Sequence, residues 1–397
     1  QVDLGLAIPG DALMTPGTGN GVYDATRWVV CFKYSSITIA SSRTISFTNH
    51  PSGAPVVWLS QGDVSIDGRV TLDSPSPSSA SPARGGPGGF DGGVSGLSTP
   101  PQGGAGFGPG GASPSVNSGF CAAGGGYSAV GGLPTGSCFS NAAGGASYGS
   151  AYIVPLIGGS GGSGTSTNSG LCIQGGSGGG GAVLIAAGTV STPATINVTG
   201  NGSSTGIFAR GSVTLNGGGG GSGGAIRLVA NNVSGNAGSL VATGGGTASC
   251  SGASPGAGAP GRIRIDANNI NMTGNSNPLF TTDLICTEPL QTGVPTLRVT
   301  FLDGQSVPAD PLAGITTTDV SISSSGPVTI DIEATNVPPG TTVKVRVVPV
   351  RGENVDCPTS SMTCDSTPLV GTMALSTSTA TITFTPGRSE IQLRANW

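Results

Sequence analysis

The chain is poor in charged side chains. Only 9% of its 397 residues are Asp, Glu, Lys or Arg, whereas about a quarter is usual in soluble proteins. The 15 basic residues form no cluster, which argues against nucleic acid as a partner. Free monomers usually stay soluble through a charged surface, so this composition is typical of a subunit buried in an assembly or coated with glycan. A monomer solvated by Ser, Thr and Asn is the alternative.

Residues needed for catalysis and membrane insertion are scarce as well. His50 is the only histidine, and neither an HExxH nor a GxxxxGK motif is present. Polysaccharide hydrolases hold paired carboxylates across a cleft, but the acids near the strand-like segments are dispersed: Asp63, Asp67, Asp73 and Asp266. No hydrophobic run is long enough to cross a bilayer. We expect a protein that is not an enzyme, uses no cofactor or metal and does not insert into a membrane.

Cysteine occurs in an even number and without the close spacing of a zinc site. The eight residues are Cys31, Cys121, Cys138, Cys172, Cys250, Cys286, Cys357 and Cys364. Since no CxxC pair occurs, disulfides formed in an oxidising compartment are favoured over zinc. Proximity predicts the pairs Cys357–Cys364 and Cys121–Cys138, and the other four are assigned as Cys172–Cys250 and Cys31–Cys286.

The chain also lacks an initiating methionine. We interpret Gln1 as a mature N-terminus left after removal of a secretory signal peptide, although a trimmed chain would look the same. Together with the cysteines, this predicts a location outside the cell or on its surface.

Glycine and proline are abundant, at 73 and 29 residues, yet the pattern between them indicates strands. No segment has a helical period, and β-branched residues alternate between turn residues. An eight-residue frame recurs as "VWLSQGDV" at Val57–Val64, "VLIAAGTV" at Val183–Val190, "IRLVANNV" at Ile226–Val233 and "IRIDANNI" at Ile263–Ile270. Positions one and three are branched aliphatics, position six is Gly or Asn, and position eight is Val or Ile. Each copy is predicted to be a strand, a left-handed corner at position six and a second strand.

Repeated strand–corner–strand units predict a β-solenoid, with a β-sandwich or barrel as the alternative. Runs of glycine precede the last three copies, so we expect them to let backbones approach closely; a mobile linker is the alternative. The predicted domains are an N-terminal assembly strand at 1–12, a Gly-rich β-solenoid-like domain at 13–293 and a β-sandwich at 294–397. Within the second domain, residues 74–181 are predicted to be a large loop insertion.

The last hundred residues have a different pattern. Strict alternation in "VTIDIEAT" and "TATITFTPG" predicts a half-buried, antiparallel, Ig-like β-sandwich. The segments "GGSGGAIRLVANNV" and "GAPGRIRIDANNI", with the tail "VTIDIEATNVPPGTTVKVRVVPV", resemble Gly-rich secreted bacterial surface proteins. The resemblance covers most of the chain. It implies an all-β fold, with a β-solenoid-like region before an Ig-like sandwich, and a structural role at the cell surface; it brings no catalytic residue with it.

The chain opens with "QVDLGLAIPG", in which apolar residues alternate with others. Val2, Leu4, Leu6 and Ile8 are predicted to form the apolar face of one assembly strand. Such a strand pairs either within its own chain or with the sandwich of a neighbouring copy, as donor strands do in pili. The second option produces head-to-tail chains, and the neutral composition leads us to favour it.

The expected function is a structural subunit of an extracellular filament or surface layer, with copies of itself as partners. A glycan-binding adhesin is the first alternative, for which Trp28, Trp58 and Trp397 are the available tryptophans. A polysaccharide lyase or hydrolase is the second. Four sequons mark candidate glycan acceptors at Asn197, Asn201, Asn232 and Asn271.

Overall fold

The structure is a computed structural model of the chain. It describes residues 1–17, 19–75, 77, 81–96, 103–114, 122–136, 142–165, 174–192, 206–212, 217–246, 252–285, 295–309, 311, 318–324, 326–349, 364–384 and 386–395. The chain divides into two compact units, Gln1–Cys286 and Thr287–Trp397. The described residues form strands and two short 3₁₀ turns, with no α-helix among them, which confirms the all-β prediction.

Unit 1 contains two sheets, which are parallel except where Val22–Asp24 pairs antiparallel with Val29–Tyr34, and a separate strand pair. Its strands are β1 (Val2–Asp3), β2 (Ile8–Pro9), β3 (Val22–Asp24), β4 (Val29–Tyr34), β5 (Ile37–Ile39), β6 (Thr44–Thr48), β7 (Val56–Ser60), β8 (Val64–Ile66), β9 (Arg69–Thr71), β10 (Thr135–Gly136), β11 (Ala182–Thr192), β12 (Gly206–Phe208), β13 (Ala225–Asn236), β14 (Leu240–Val241), β15 (Ala253–Ser254), β16 (Arg262–Thr273) and β17 (Thr281–Asp283). The 3₁₀ turns are Leu4–Leu6 and Ala237–Ser239.

The chain visits the two parallel sheets in alternation. Sheet 1 has the order β17-β16-β13-β11-β7-β4-β3-β2, with β5 beside β8 and β8 beside β11. Sheet 2 has the order β1-β6-β9-β12-β14. All pairs of sheet 1 from β4 to β17 are parallel, and so are all pairs of sheet 2. Each return to sheet 1 therefore adds one strand to the same growing stack.

The repeated frame sets the register of this stack. Ile226 pairs with Val183 on one side and with Ile263 on the other, so position one faces position one in three copies. Position eight is aligned in the same way, with Val233 between Val190 and Ile270. The prediction of equivalent strands is confirmed for these copies. Because like side chains stack, the apolar residues of successive strands form continuous buried columns.

The first copy of the frame begins one residue earlier than the sequence pattern predicts. Val56, and not Val57, pairs with Val183, although Val64 still pairs with Val190. This copy therefore holds one extra residue before its second strand. Residues 56–59 are all apolar in sequence, so the period alone does not show which residues face the core, and a one-residue slip exchanges the two faces.

The pattern also missed a copy at residues 30–37. Val30 pairs with Val56, and Ile37 pairs with Val64, so this segment occupies the same columns. Its third position is Phe32 and its sixth is Ser35, rather than an aliphatic residue and Gly or Asn. Position three needs an apolar side chain, which Phe32 provides, and position six needs a residue that allows a corner, which Ser35 does.

Position six is a corner, but it is not left-handed. The pairing passes over Gly188, Asn231 and Asn268, while residues on both sides remain paired. None of these three has a positive φ, so that part of the prediction is wrong. In a straight strand, positions three and eight would face opposite sides. The corner brings both Ile185 and Val190 into the core, where both are buried.

The glycine runs form a second kind of packed structure. We call the described residues 84–93, 103–113, 122–132, 142–149, 158–165, 174–181, 217–224 and 256–261 the glycine segments. Backbone hydrogen bonds join neighbouring segments, as from the Gly159 N–H to the Gly180 oxygen at 2.8 Å and from the Gly180 N–H to the Ser222 oxygen at 2.8 Å. Six of the segments lie in the predicted 74–181 insertion, whose described parts are therefore packed rather than mobile.

The hydrogen bonds of one glycine segment have a three-residue period. Residues 159, 162 and 165 donate to residues 180, 177 and 174 of one neighbour. Residues 161 and 164 donate to residues 107 and 104 of another. A period of three is that of the polyproline II helix, which has no internal hydrogen bonds and leaves its amide groups for neighbours. A Cβ on Gly162 would lie under 3.0 Å from the backbone of the neighbouring segment, so glycine permits this spacing.

Unit 2 consists of two antiparallel sheets. Its strands are β18 (Thr296–Leu302), β19 (Gln305–Ser306), β20 (Pro327–Thr335), β21 (Val343–Pro349), β22 (Cys364–Asp365), β23 (Val370–Gly371), β24 (Ser376–Thr383) and β25 (Ser389–Ala395). The sheet orders are β19-β18-β20-β24-β23 and β22-β21-β25. Alternate residues of β20 and β21 meet in one core, including Ile330 and Val345. Along β24, buried residues alternate with exposed polar residues such as Thr379 and Thr381.

Candidate assembly surface

The N-terminal segment does not form the single strand that its alternation predicts. Only Val2–Asp3 and Ile8–Pro9 are strands, and a 3₁₀ turn lies between them. The Asp3 carboxylate accepts a hydrogen bond from the Gly5 N–H at 3.0 Å and caps this turn. The turn breaks the two-residue period, so Leu4 is fully buried while Leu6 is 58% exposed and Ile8 39% exposed.

Both short strands pair within their own chain. Val2 pairs with Phe47 of β6, and Ile8 pairs with Val22 of β3. In this structure the segment therefore pairs within its own chain and not with the sandwich of a neighbouring copy. The Ile8 N–H donates to the oxygen of Gly21, just before β3, at 3.1 Å, and the Gly10 N–H donates to the oxygen of Tyr23 in β3 at 2.9 Å. The nitrogen of Pro9 therefore faces outward. Proline on an outer edge lacks the donor that a further strand would need.

The edge of β5 at the same end of unit 1 is open. The Ile37 N–H donates to Asp63 at 3.0 Å, and the Ile39 oxygen accepts from the Asp67 N–H at 2.9 Å. These bonds turn both residues toward β8, so the N–H and C=O of Thr38 face away from it. No strand of the described residues pairs with that outer edge. Thr38 is itself exposed.

An apolar cleft lies beside this edge, between the two sheets. Its volume is about 270 Å³, close to the lower limit of ~300 Å³ for ligand pockets. The ring centroids of Phe47 and Trp58 are 6.0 Å apart in its wall. The lining residues are Val2, Phe32, Tyr34, Ser36, Ile37, Thr38, Ile39, Ile45, Phe47 and Trp58. None of them is charged, so the cleft favours apolar groups.

The opposite end of unit 1 also presents an open strand edge. β17 pairs with Arg264–Asp266 of β16, and its three residues are exposed. An ion pair of 3.1 Å between Asp283 and Arg264 fixes β17 to its neighbour. Two apolar side chains flank it in an exposed position, Leu279 at 70% and Leu284 at 69%. Within the described residues, both ends of the stack thus combine a strand that is paired on one side only with accessible apolar surface.

The structure contradicts one predicted disulfide. Cys31 on β4 is a free, buried thiol whose pKa is raised by burial. Its predicted partner Cys286 lies outside the described residues, three residues after β17. Because the Cys31 thiol is free, the predicted Cys31–Cys286 pairing is wrong.

The other cysteine pairings stay predictions. Cys121, Cys138, Cys172, Cys250 and Cys357 lie outside the described residues, and so does the side chain of Cys364.

The acids considered for catalysis are engaged in local contacts. Asp73 binds Arg210 at 2.7 Å and Arg69 at 3.2 Å. Burial acts to raise the pKa of Asp73, but its hydrogen bonds and the Arg210 charge outweigh burial and lower that pKa. Asp266 binds Arg227 at 2.9 Å and lies against Arg264.

The remaining acids and His50 are held locally. Asp67 accepts a hydrogen bond from Ser65 at 3.2 Å, and Asp63 bonds β5 through its backbone. His50 stacks on Tyr23 with ring centroids 3.9 Å apart, and its Nδ1 lies 2.7 Å from the Ser52 hydroxyl. The described residues contain no group of three or more His, Cys, Asp or Glu that would hold a metal ion.

The tryptophans considered for glycan binding are used in packing. Trp58 belongs to the core and is 4% exposed. Trp28 donates from its ring nitrogen to the Ser52 oxygen at 3.0 Å, and Trp397 lies outside the described residues. No helix of the described residues is long and apolar enough to cross a membrane.

Two of the four sequons lie within the described residues. Asn232 is exposed, and its side-chain oxygen accepts from Asn269 at 3.0 Å. Asn271 is exposed as well, whereas Asn197 and Asn201 lie outside the described residues. Asn268 donates to Asn231 at 3.3 Å, so the amides at positions six and seven form a ladder between β13 and β16.

Comparisons with protein-family models, with curated proteins and with solved structures found no match.

Proposed function

We propose that the chain is a non-enzymatic structural subunit of an extracellular filament or surface layer that assembles head-to-tail by strand addition. In this proposal unit 1 is a β-solenoid and unit 2 is an Ig-like β-sandwich. The proposal rests mainly on the parallel stack of sheet 1, whose strand direction and side-chain columns are the same from β4 to β16. A contact between opposite ends of such a stack is heterologous and does not close, so it produces a chain of subunits.

Composition supports the same proposal. A subunit with 9% charged residues loses less solvation on assembly than an ordinary soluble protein, because few charges must be desolvated. The cysteine pattern favours an oxidising location for the assembly.

The proposal is tested with the purified full chain over a range of concentrations. Sedimentation velocity should show oligomers that grow with concentration, and negative-stain microscopy should show uniform filaments or layers. A single monomeric species at every concentration contradicts the proposal. Incubation with acidic and neutral polysaccharides, with and without calcium, serves as the enzymatic comparison, because release of cleaved products would favour a lyase or hydrolase instead.

A further inference from the structure

The last strand of unit 2 has a long open edge. β25 spans Ser389–Ala395, and within the described residues it pairs only with β21, so its outer edge has no partner strand there. The strands at the other three ends of the unit 2 sheets, β19, β22 and β23, have two residues each. Very short edge strands are one way in which proteins prevent pairing with another chain. β25, with seven residues, lacks this protection.

The backbone groups of β25 alternate between β21 and the open edge. The Val343 oxygen of β21 accepts from the Ser366 N–H at 2.8 Å, on the side of β21 where β22 lies. Since backbone direction alternates along a strand, the odd-numbered residues of β21 face β22 and the even-numbered ones face β25. The even-numbered residues of β25 are their partners in the ladder. The N–H and C=O groups of Ile391 and Leu393 therefore point outward, where a further strand would lie.

The apolar side chains of β25 are less buried than those of its neighbour. Val345 and Val347 of β21 are almost fully buried, whereas their ladder partners Leu393 and Ile391 are only partly buried. β18 of the other sheet comes close to β25 but does not pair with it in the part of the chain that the structure describes. A strand added beside β25 would both cover these side chains and bond the outward backbone groups.

The sequence of β25 is complementary to itself. When "SEIQLRA" is placed antiparallel to a second copy and centred on Gln392, Glu390 lies opposite Arg394, and Ile391 lies opposite Leu393. Opposite charges and branched apolar side chains both stabilise antiparallel strands from such positions. The same register places the outward backbone groups of Ile391 against those of Leu393, as a hydrogen-bonded pair requires. Charges that served only to keep the edge unpaired would not need to match in this order.

We propose that β25 pairs antiparallel with β25 of a second copy of this chain, around a twofold axis at Gln392. Such a contact is isologous and closes as a dimer. It belongs to unit 2 and does not rest on the end-to-end contact proposed for unit 1. Where both contacts form, the twofold contact would join filaments side by side, which is the arrangement that a layer requires.

Cysteine cross-linking of the full chain tests this register. At the axis the two copies of residue 392 form a pair without hydrogen bonds, whose Cα atoms lie ~4.5 Å apart, within the range of a disulfide. Under mild oxidation, Gln392→Cys should give a dimer on a non-reducing gel and a 392–392 linkage in its mass spectrum. Arg394→Cys is the matched control, because its two copies lie roughly 14 Å apart along the strands and should not be linked to each other.

Charge reversal tests the same contact without a covalent link. Glu390→Arg and Arg394→Glu each place like charges opposite one another twice in the dimer, so each should raise its dissociation constant by about tenfold or more in sedimentation velocity. The variant with both changes restores opposite charges and should dimerise like the wild type. A single variant that fails to fold is recognised by its thermal unfolding and by the lack of recovery in the double variant.

The outcomes that overturn the contact differ from those that overturn the filament. If Gln392→Cys forms no 392–392 linkage, or if Arg394→Cys links as readily, β25 does not pair in this register, and filaments seen in the same sample would leave the filament proposal standing. A 392–392 linkage in a sample without filaments would support the dimer and count against the filament. Well-folded single charge variants that dimerise like the wild type would also contradict the contact.

Discussion

At the scale of residues, charge is used sparingly and in defined pairs. Asp73 follows β9 and binds Arg210, which follows β12, so their ion pair ties two strands of sheet 2 together. The guanidinium groups of Arg69 and Arg210 both lie over the ring of Phe208, 4.6 and 5.0 Å from its centroid. The Asp73–Arg210 ion pair thus holds the Arg210 guanidinium in place over the aromatic ring of Phe208.

Replacement of Asp73 by Asn should destabilise unit 1 at neutral pH by about 1–2 kcal/mol, allowing for the partial exposure of Arg210. The folded-state pKa of Asp73 is lowered, so its stabilising effect is present above the unfolded pKa of ~3.9 and is lost as pH falls through the folded value. Urea unfolding at pH 7 and near pH 2 measures this, and the difference between wild type and Asp73→Asn should shrink in acid.

Asp67→Asn is the matched control for this experiment, because Asp67 is exposed and forms no ion pair in the described residues. An equal, pH-independent loss in both variants would show that the Arg210 contact is not the cause.

At the scale of elements, the sequence predicted the strands better than it predicted what lies between them. The frame at 183–190, 226–233 and 263–270 is found in register because its apolar residues recur at fixed positions. The copy at 30–37 was missed because Phe32 and Ser35 depart from the frame while satisfying the same packing. A column requires only that its side chains be buried, and several residue types meet that requirement, so the sequence pattern does not find every copy.

The glycine segments and the N-terminal segment show two further limits of the sequence. Close packing of glycine runs was predicted, but their three-residue hydrogen-bond period was not, because glycine has no side chain whose pattern would reveal it. Alternation at residues 2–8 predicted one strand, but the Asp3 cap forms a turn instead. The sequence did not predict the open edge of β5, because an open edge depends on how all the strands of the sheet are arranged and not on the residues of β5 itself.

Glycine in these segments should be replaceable only where its Cβ position is open. Gly221 is buried, and an added Cβ would lie under 3.0 Å from the backbone at Gly178. Gly246, which lies outside the glycine segments and serves as the control, is exposed, and nothing lies within 4 Å of its Cβ position. We expect Gly221→Ala to destabilise unit 1 by more than about 3 kcal/mol and Gly246→Ala by less than ~0.5 kcal/mol. Thermal unfolding of both variants measures this, and equal effects would mean that the glycine segments are linkers.

At the scale of the whole molecule, unit 1 has a direction. Its parallel strands and aligned columns make its two ends different, and in the part of the chain that the structure describes each end carries a strand with one unpaired edge beside apolar side chains. The cap of β2 and β3 ends in Pro9, whose outward-facing nitrogen has no N–H to donate to a further strand. Assembly along this direction would continue the strand spacing from one copy into the next.

Fibre diffraction from oriented assemblies of the full chain tests this central claim most directly. If copies add end to end along the stack of sheet 1, the strands stack along the filament axis, and the spacing of ~4.8 Å between them appears on the meridian. A reflection at this spacing on the equator would place the strands along the filament axis instead and would contradict the account.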